Sequence, residues 1–176
     1  MQAPLVLTVV STDRPGLVEK VAQAVASHGG NWLESRMCRL GGQFAGIVRI
    51  LVPPDQRGAL TGALEGLAAQ GLEVAVYADD QSAVAVGVTL ANLELVGQDR
   101  PGIVRQVAAA LAAREVNVED LATECSSAPM SGETLFKAQA RLRLPDHCDV
   151  GALQADLERI AGDLLVEIKL ETLTTQ

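Results

Sequence analysis

Apolar and polar positions follow the same succession of rhythms twice along the chain. Leu5 to Val10 form a short β-rich run, followed by the corner Asp13-Arg14-Pro15-Gly16. Leu17, Val21 and Val25 then recur every four residues, the spacing of one stripe on an amphipathic helix. Pro15 falls where the first turn of a helix accepts proline, because the ring presets φ and no N–H is needed there. Gly29-Gly30 predicts the helix end. Two more β-rich runs, 31 to 40 and 44 to 52, flank Gly41-Gly42, a hairpin signal. Pro53 ends the second run. Leu60, Leu64 and Leu67 then predict another helix, and Leu72, Val74 and Val76 a closing strand.

The rhythm restarts after Asp79. VVSTDRPGLVEKVAQAVASHGGN at 9–31 matches LVGQDRPGIVRQVAAALAAREVN at 95–117. Asp13 and Asp99 stand 86 positions apart, as do Asn31 and Asn117. The second copy has about seven more residues, most of them between Asp120 and Pro145, where the loop SSAPMSGE replaces the two-glycine turn. Leu93 to Val96 are its first strand, and Ile103, Val107 and Leu111 its first helical stripe. Its hairpin spans Asn117 to Cys125 and Thr134 to Leu144. Leu153, Leu157 and Ile160 are its second stripe, and Val166, Ile168 and Leu170 its last strand.

Strand, helix, strand, strand, helix, strand is the ferredoxin-like βαββαβ order. It predicts an α+β fold, with two helices on one face of a four-stranded antiparallel sheet in each copy. Phe136, Ala138, Ala140, Leu142 and Leu144 alternate with Lys137, Gln139, Arg141 and Arg143, so one face of that sheet is polar. The expected boundaries are a first domain at 1–79, a short polar linker at 80–82 and a second domain at 83–176.

Composition narrows the function. The chain of 176 residues is 48% hydrophobic but only 2% aromatic, so its cores are aliphatic. A net charge of −8 opposes binding to a phosphate backbone, which depends on Lys and Arg, and few aromatic rings are available to stack on bases. Direct nucleic-acid binding is not expected. The run Leu5 to Val10 is far too short to span a bilayer, and a basic, cleavable leader is not legible at the N-terminus. Three cysteines, Cys38, Cys125 and Cys148, without CxxC spacing fit a reducing cytoplasm. Cys38 and Cys125 are expected to be small apolar packers. His147-Cys148 lacks companions at metal-ligand spacing, so neither a metal nor another cofactor is expected. A Ser/His/Asp order, a phosphate-binding glycine loop and HExxH are all missing, which points away from an enzyme.

Strand, DRPG, apolar helix, Asn, strand pair, helix, strand resembles the ACT domain, a small-molecule sensor usually specific for amino acids. The pattern covers both copies, each with Asn eighteen residues after its Asp. Two such modules with nothing else, and APMSG at 128–132 followed by Leu135-Phe136, resemble the glycine cleavage system transcriptional repressor family. That resemblance implies a regulator without a DNA-binding domain. It implies restraint of a DNA-binding activator by protein contact, with glycine or a related amino acid as effector.

The DRPG corners are the candidate ligand sites. A helix N-terminus offers unpaired N–H groups and a partial positive charge. An amino-acid carboxylate fits the N–H groups of Gly16 and Leu17, or of Gly102 and Ile103. Asp13 or Asp99 pairs with its ammonium, and Arg14 and Arg100 stand beside them. The alternative is that both Asp side chains cap their own helices, with both Arg solvated. Asn31 and Asn117 offer a donor and an acceptor to a zwitterion, or are turn residues tolerant of left-handed geometry. In the long loop, Pro129, Met130, Ser131 and Gly132 are candidate contacts for a protein partner, or a hairpin tip without one. Lys137, Arg141 and Arg143, with Arg36, Arg39 and Arg49 in the first copy, are expected to be a solvated charged face. A ligand-independent interaction module that regulates a metabolic enzyme is the other reading of the chain. Self-association into a homo-oligomer stays open.

Overall fold

The computed structural model describes residues 2–79, 89–127 and 133–173. The chain divides into two compact units, Met1–Ala83 and Val84–Gln176. The expected linker at 80–82 lies outside the described residues, as does the loop tip holding Pro129, Met130, Ser131 and Gly132.

The first unit runs β1 (Ala3–Thr12), α1 (Leu17–Ser27), β2 (Asn31–Leu40), β3 (Gln43–Val52), α2 (Arg57–Glu65) and β4 (Leu72–Ala78). The second repeats it as β5 (Thr89–Gln98), α3 (Ile103–Ala113), β6 (Asn117–Ser127), β7 (Thr134–Leu144), α4 (Val150–Leu164) and β8 (Val166–Leu173). The strand orders are β2-β3-β1-β4 and β6-β7-β5-β8, with every neighbouring pair antiparallel. Each unit is therefore the α+β, ferredoxin-like sandwich expected from the element order.

Period-two alternation turns Leu5, Leu7 and Val9 of β1 and Val48, Ile50 and Val52 of β3 to one face, where all six are buried. Leu17, Val21 and Val25 of α1 and Leu60 and Leu64 of α2 close over them. In the second unit Leu93, Leu95, Leu142 and Leu144 meet Ile103, Val107, Leu111, Leu153 and Leu157 in the same way. Leu67, expected to continue the α2 stripe, follows α2 in a 3-10 segment, Gly66–Gln70, and is only partly buried against the core.

The outer strands β2 and β6 hold no buried residue. Each carries a register shift near its start, at Trp32/Glu34 and at Val118/Asp120. Cys38 and Cys125 lie on these strands and are exposed, so they are not the packers expected of them. Cys38 follows Met37, which packs on the core, so alternation turns its thiol to the open face of the sheet, and Cys125 lies two residues from the end of β6. Cys148 does pack against the second core.

Candidate functional site

Both DRPG corners have the same backbone. Gly16 (φ 88°) and Gly102 (φ 96°) are the N-cap residues of α1 and α3, in the left-handed region that glycine enters without a Cβ penalty. Their carbonyls accept the first helical bonds, from Lys20 N–H at 3.1 Å and Gln106 N–H at 3.0 Å. The helices start at Leu17 and Ile103, so Pro15 and Pro101 sit one residue ahead of the N-cap and not in the first turn. The left-handed glycine reverses the chain, and proline fits the turn before it. Each corner is tied to the hairpin beside it: the Asp13 N–H donates to the Gly42 carbonyl and the Asp99 N–H to the Thr134 carbonyl, both at 2.9 Å.

Neither aspartate is its helix's N-cap, a place that Gly16 and Gly102 take, and among the described residues no side chain hydrogen-bonds to the first turn of α1 or α3. The capping alternative therefore fails at both corners, and among the described residues the leading N–H groups have no side-chain acceptor. The helix dipole leaves partial positive charge there. An acidic capping residue is what α4 has instead: Asp149 Oδ1 accepts from the Ala152 N–H at 3.0 Å.

The side chains around the two corners differ. In the first unit Asp13 accepts from Arg39 Nε, and Arg14 donates to the Gln70 carbonyl, so neither is simply solvated. The Glu19 carboxylate lies close enough that a Cβ at Gly16 would sit 3.7 Å from its Oε2. In the second unit Arg100 Nη2 donates to Gln98 Oε1 at 3.1 Å, and among the described residues a Cβ at Gly102 would meet nothing within 4 Å. The first turn of α3 has no acidic residue, and Arg105 stands where α1 has Glu19.

Asn31 and Asn117 open β2 and β6 and are exposed. Neither is left-handed. That conformation belongs to Gly29 (φ 66°) and Glu115 (φ 56°), two residues earlier, which removes the turn alternative for both asparagines. The basic face is matched by carboxylates: Arg143 Nε donates to Glu119 at 2.6 Å, Lys137 lies 3.6 Å from Glu124, and Arg49 Nε lies 2.5 Å from Asp79.

Two hollows in the second unit were not foreseen from the sequence. A polar depression of about 330 Å³ crosses the open sheet face, between Glu94, Glu124, Lys137 and Gln139. An apolar cavity of about 50 Å³ lies between α3 and the inner side of β6 and β7. Hydrophobic spacing marks which residues face a core, but not where their volumes fall short of filling it. Among the described residues no group of three His, Cys, Asp or Glu side chains is placed to hold a metal ion. No described helix is long and apolar enough to cross a membrane.

Comparison with known proteins agrees with this architecture. A family model described as the ACT domain matches residues 3–77. A solved structure described as an unknown protein from Galdieria sulphuraria is 30% identical, with a TM-score of 0.84 over 99% of this chain and 100% of that one. The first unit belongs to the ACT-domain family, and the second repeats its fold. The chain also superposes on a structure assigned to a glycine cleavage system transcriptional repressor, with 21% identity, a TM-score of 0.69 and 99% of each chain covered. That likeness speaks for the shared ACT fold. No curated protein matches the chain.

Proposed function

We propose that this tandem ACT protein is a non-catalytic, amino-acid-sensing regulator of the cytoplasm. The observation that carries the reading is the pair of DRPG corners, each with a left-handed glycine at the N-cap and a helix N-terminus that no side chain caps. The ligand carboxylate binds the N–H groups of Gly16 and Leu17 or of Gly102 and Ile103. Asp13 or Asp99 takes the ammonium, and Arg14, Arg100, Asn31 and Asn117 complete the sites. Asp99 suits this role better than Asp13, whose carboxylate is already engaged by Arg39.

The output is a protein contact. A net charge of −8 disfavours direct DNA binding, and the resemblance to glycine cleavage repressors implies a DNA-binding activator of glycine cleavage genes as the partner. Glycine or a related amino acid shifts the protein between states by binding one better than the other. Isothermal titration with a panel of amino acids tests the sensing. Heat and a thermal shift are expected with at least one of them, and both are expected to vanish when Gly16 and Gly102 are replaced together by valine in a protein that still melts cooperatively. Silence across the panel overturns the reading.

The ligand-independent alternative draws on one observation. The open face of the first sheet exposes Val10, Ile47 and Tyr77, an apolar surface suited to a protein partner. Under that reading the double valine variant still captures the partner, and amino acids change nothing.

A further inference from the structure

The two units share a topology, but their interiors are filled differently beside the DRPG helix. In the first unit Trp32 and Met37, both on β2, pack against the core. Met37 lies directly over Gly46, where an added Cβ would sit 2.4 Å from its Cγ. The matching β6 positions hold Val118 and Thr123, and the β3 residue Val48 is matched by Ala140 of β7. Ser35 and Gly46 are matched by the larger Leu121 and Ala138, but the three losses together exceed these two gains, so the second unit has less side-chain volume between helix and sheet. The apolar cavity of about 50 Å³ is the result, with Val104, Ala108, Val118, Leu121, Phe136 and Ala140 among its walls. Val104, Val118 and Leu121 are 40–51% exposed, so apolar surface stays accessible around it.

We infer that this cavity takes the aliphatic side chain of a free amino acid of the valine, leucine and isoleucine class. The inference rests on the sensing function proposed above and makes it more specific. The space suits one small group, since a single water needs roughly 10–15 Å³ by the same kind of measure and a wholly apolar hollow does not hold water well. It is too small for the row of anchors that a partner helix would insert. Position gives the second constraint. Ile103 and Val104 line the cavity and are also the first two residues of α3, whose N–H groups lack a side-chain cap. An amino acid with its carboxylate at that helix start has its own aliphatic group beside the cavity. No carboxylate in the first turn of α3 competes for the donors.

The full chain is titrated with glycine, L-alanine, L-valine, L-isoleucine and L-leucine. Affinity is expected to rise along that series, and the Val118→Trp variant, which copies the first unit's Trp32, is expected to weaken leucine binding by about tenfold to a hundredfold. Circular dichroism and melting report whether that variant folds. Methyl NMR of the unaltered chain is a second readout that needs no substitution, with leucine expected to shift the Val104, Val118 and Leu121 methyls and glycine to leave them in place. Glycine binding as tightly as leucine, a Val118→Trp variant that keeps leucine affinity, or methyl shifts confined to other parts of the chain each overturn this inference alone. A chain that responds to no amino acid overturns the sensing function as well.

Discussion

Arg114, at the C-terminal end of α3, grips the Asp156 carboxylate of α4 with two nitrogens, Nε at 3.0 Å and Nη2 at 2.6 Å. Both charge-assisted bonds converge on one oxygen, Asp156 Oδ2, and tie the end of α3 to α4. The hydrogen bond from Arg114, its charge, and a weaker contribution from Arg159 at 3.6 Å hold the Asp156 carboxyl below the usual aspartate range.

A pH dependence follows from that pair. A carboxyl whose folded value lies below its unfolded value binds protons more readily when unfolded, so it stabilises the fold at pH above the unfolded value. That contribution falls away as acid titrates the folded carboxyl. Asp156→Asn is expected to melt below the parent at pH 7, with the two curves converging as pH drops below the ordinary aspartate range. Added salt is expected to narrow the gap at pH 7, since both side chains are partly exposed. Melting temperatures measured from pH 7 down to pH 2.5 check this.

Left-handed positions give a second expectation. Among the described residues nothing lies within 4 Å of a Cβ at Gly102, so Gly102→Ala is expected to cost the backbone strain, about 1–2 kcal/mol. Leu165, before β8, holds the same kind of conformation (φ 56°) where the first unit uses Gly71 (φ 73°). Leu165→Gly is expected to stabilise the second unit by up to about 1 kcal/mol, against the usual sign of a leucine-to-glycine change. Urea denaturation of the two variants reads both effects.

The capping geometry separates aspartates that look alike in sequence. Asp149→Ala removes an N-cap acceptor and is expected to cost about 1 kcal/mol. Asp99→Ala removes no helix contact and is expected to change stability by less than about 0.5 kcal/mol, while weakening amino-acid binding. Denaturation and titration on the same two variants test whether Asp99 serves the ligand or the helix.

Much of the architecture was legible because periodicity reports which side of an element is buried. Leu17, Val21 and Val25 read as a stripe in the sequence and are the buried residues of α1. The 86-residue offset predicted equivalent corners, and Gly16 and Gly102 share one conformation. Proline placement misled by one residue, because the left-handed glycine takes the N-cap and pushes Pro15 outside the helix. Cys38 and Cys125 misled because strand membership does not tell which face or which end of the strand a side chain occupies. The cavity was hidden because it arises from volumes exchanged between strands, Trp32 for Val118 and Val48 for Ala140, far apart along the chain. How Asp13 and Asp99 differ was equally hidden, since Arg39 approaches Asp13 from another strand.

Two homologous sheets on one polypeptide face a hazard of mispairing, since either unit's free edge offers hydrogen-bonding groups that its sibling, or a neighbouring molecule, is able to read. The register shifts at Trp32/Glu34 and Val118/Asp120 fall near the start of those outermost strands in both copies. An extra residue there coils the margin and breaks its even spacing of donors and acceptors. On the β2 and β6 edges a newly made chain thus carries its own guard against strand exchange and fibrous stacking, repeated once for each copy of the fold.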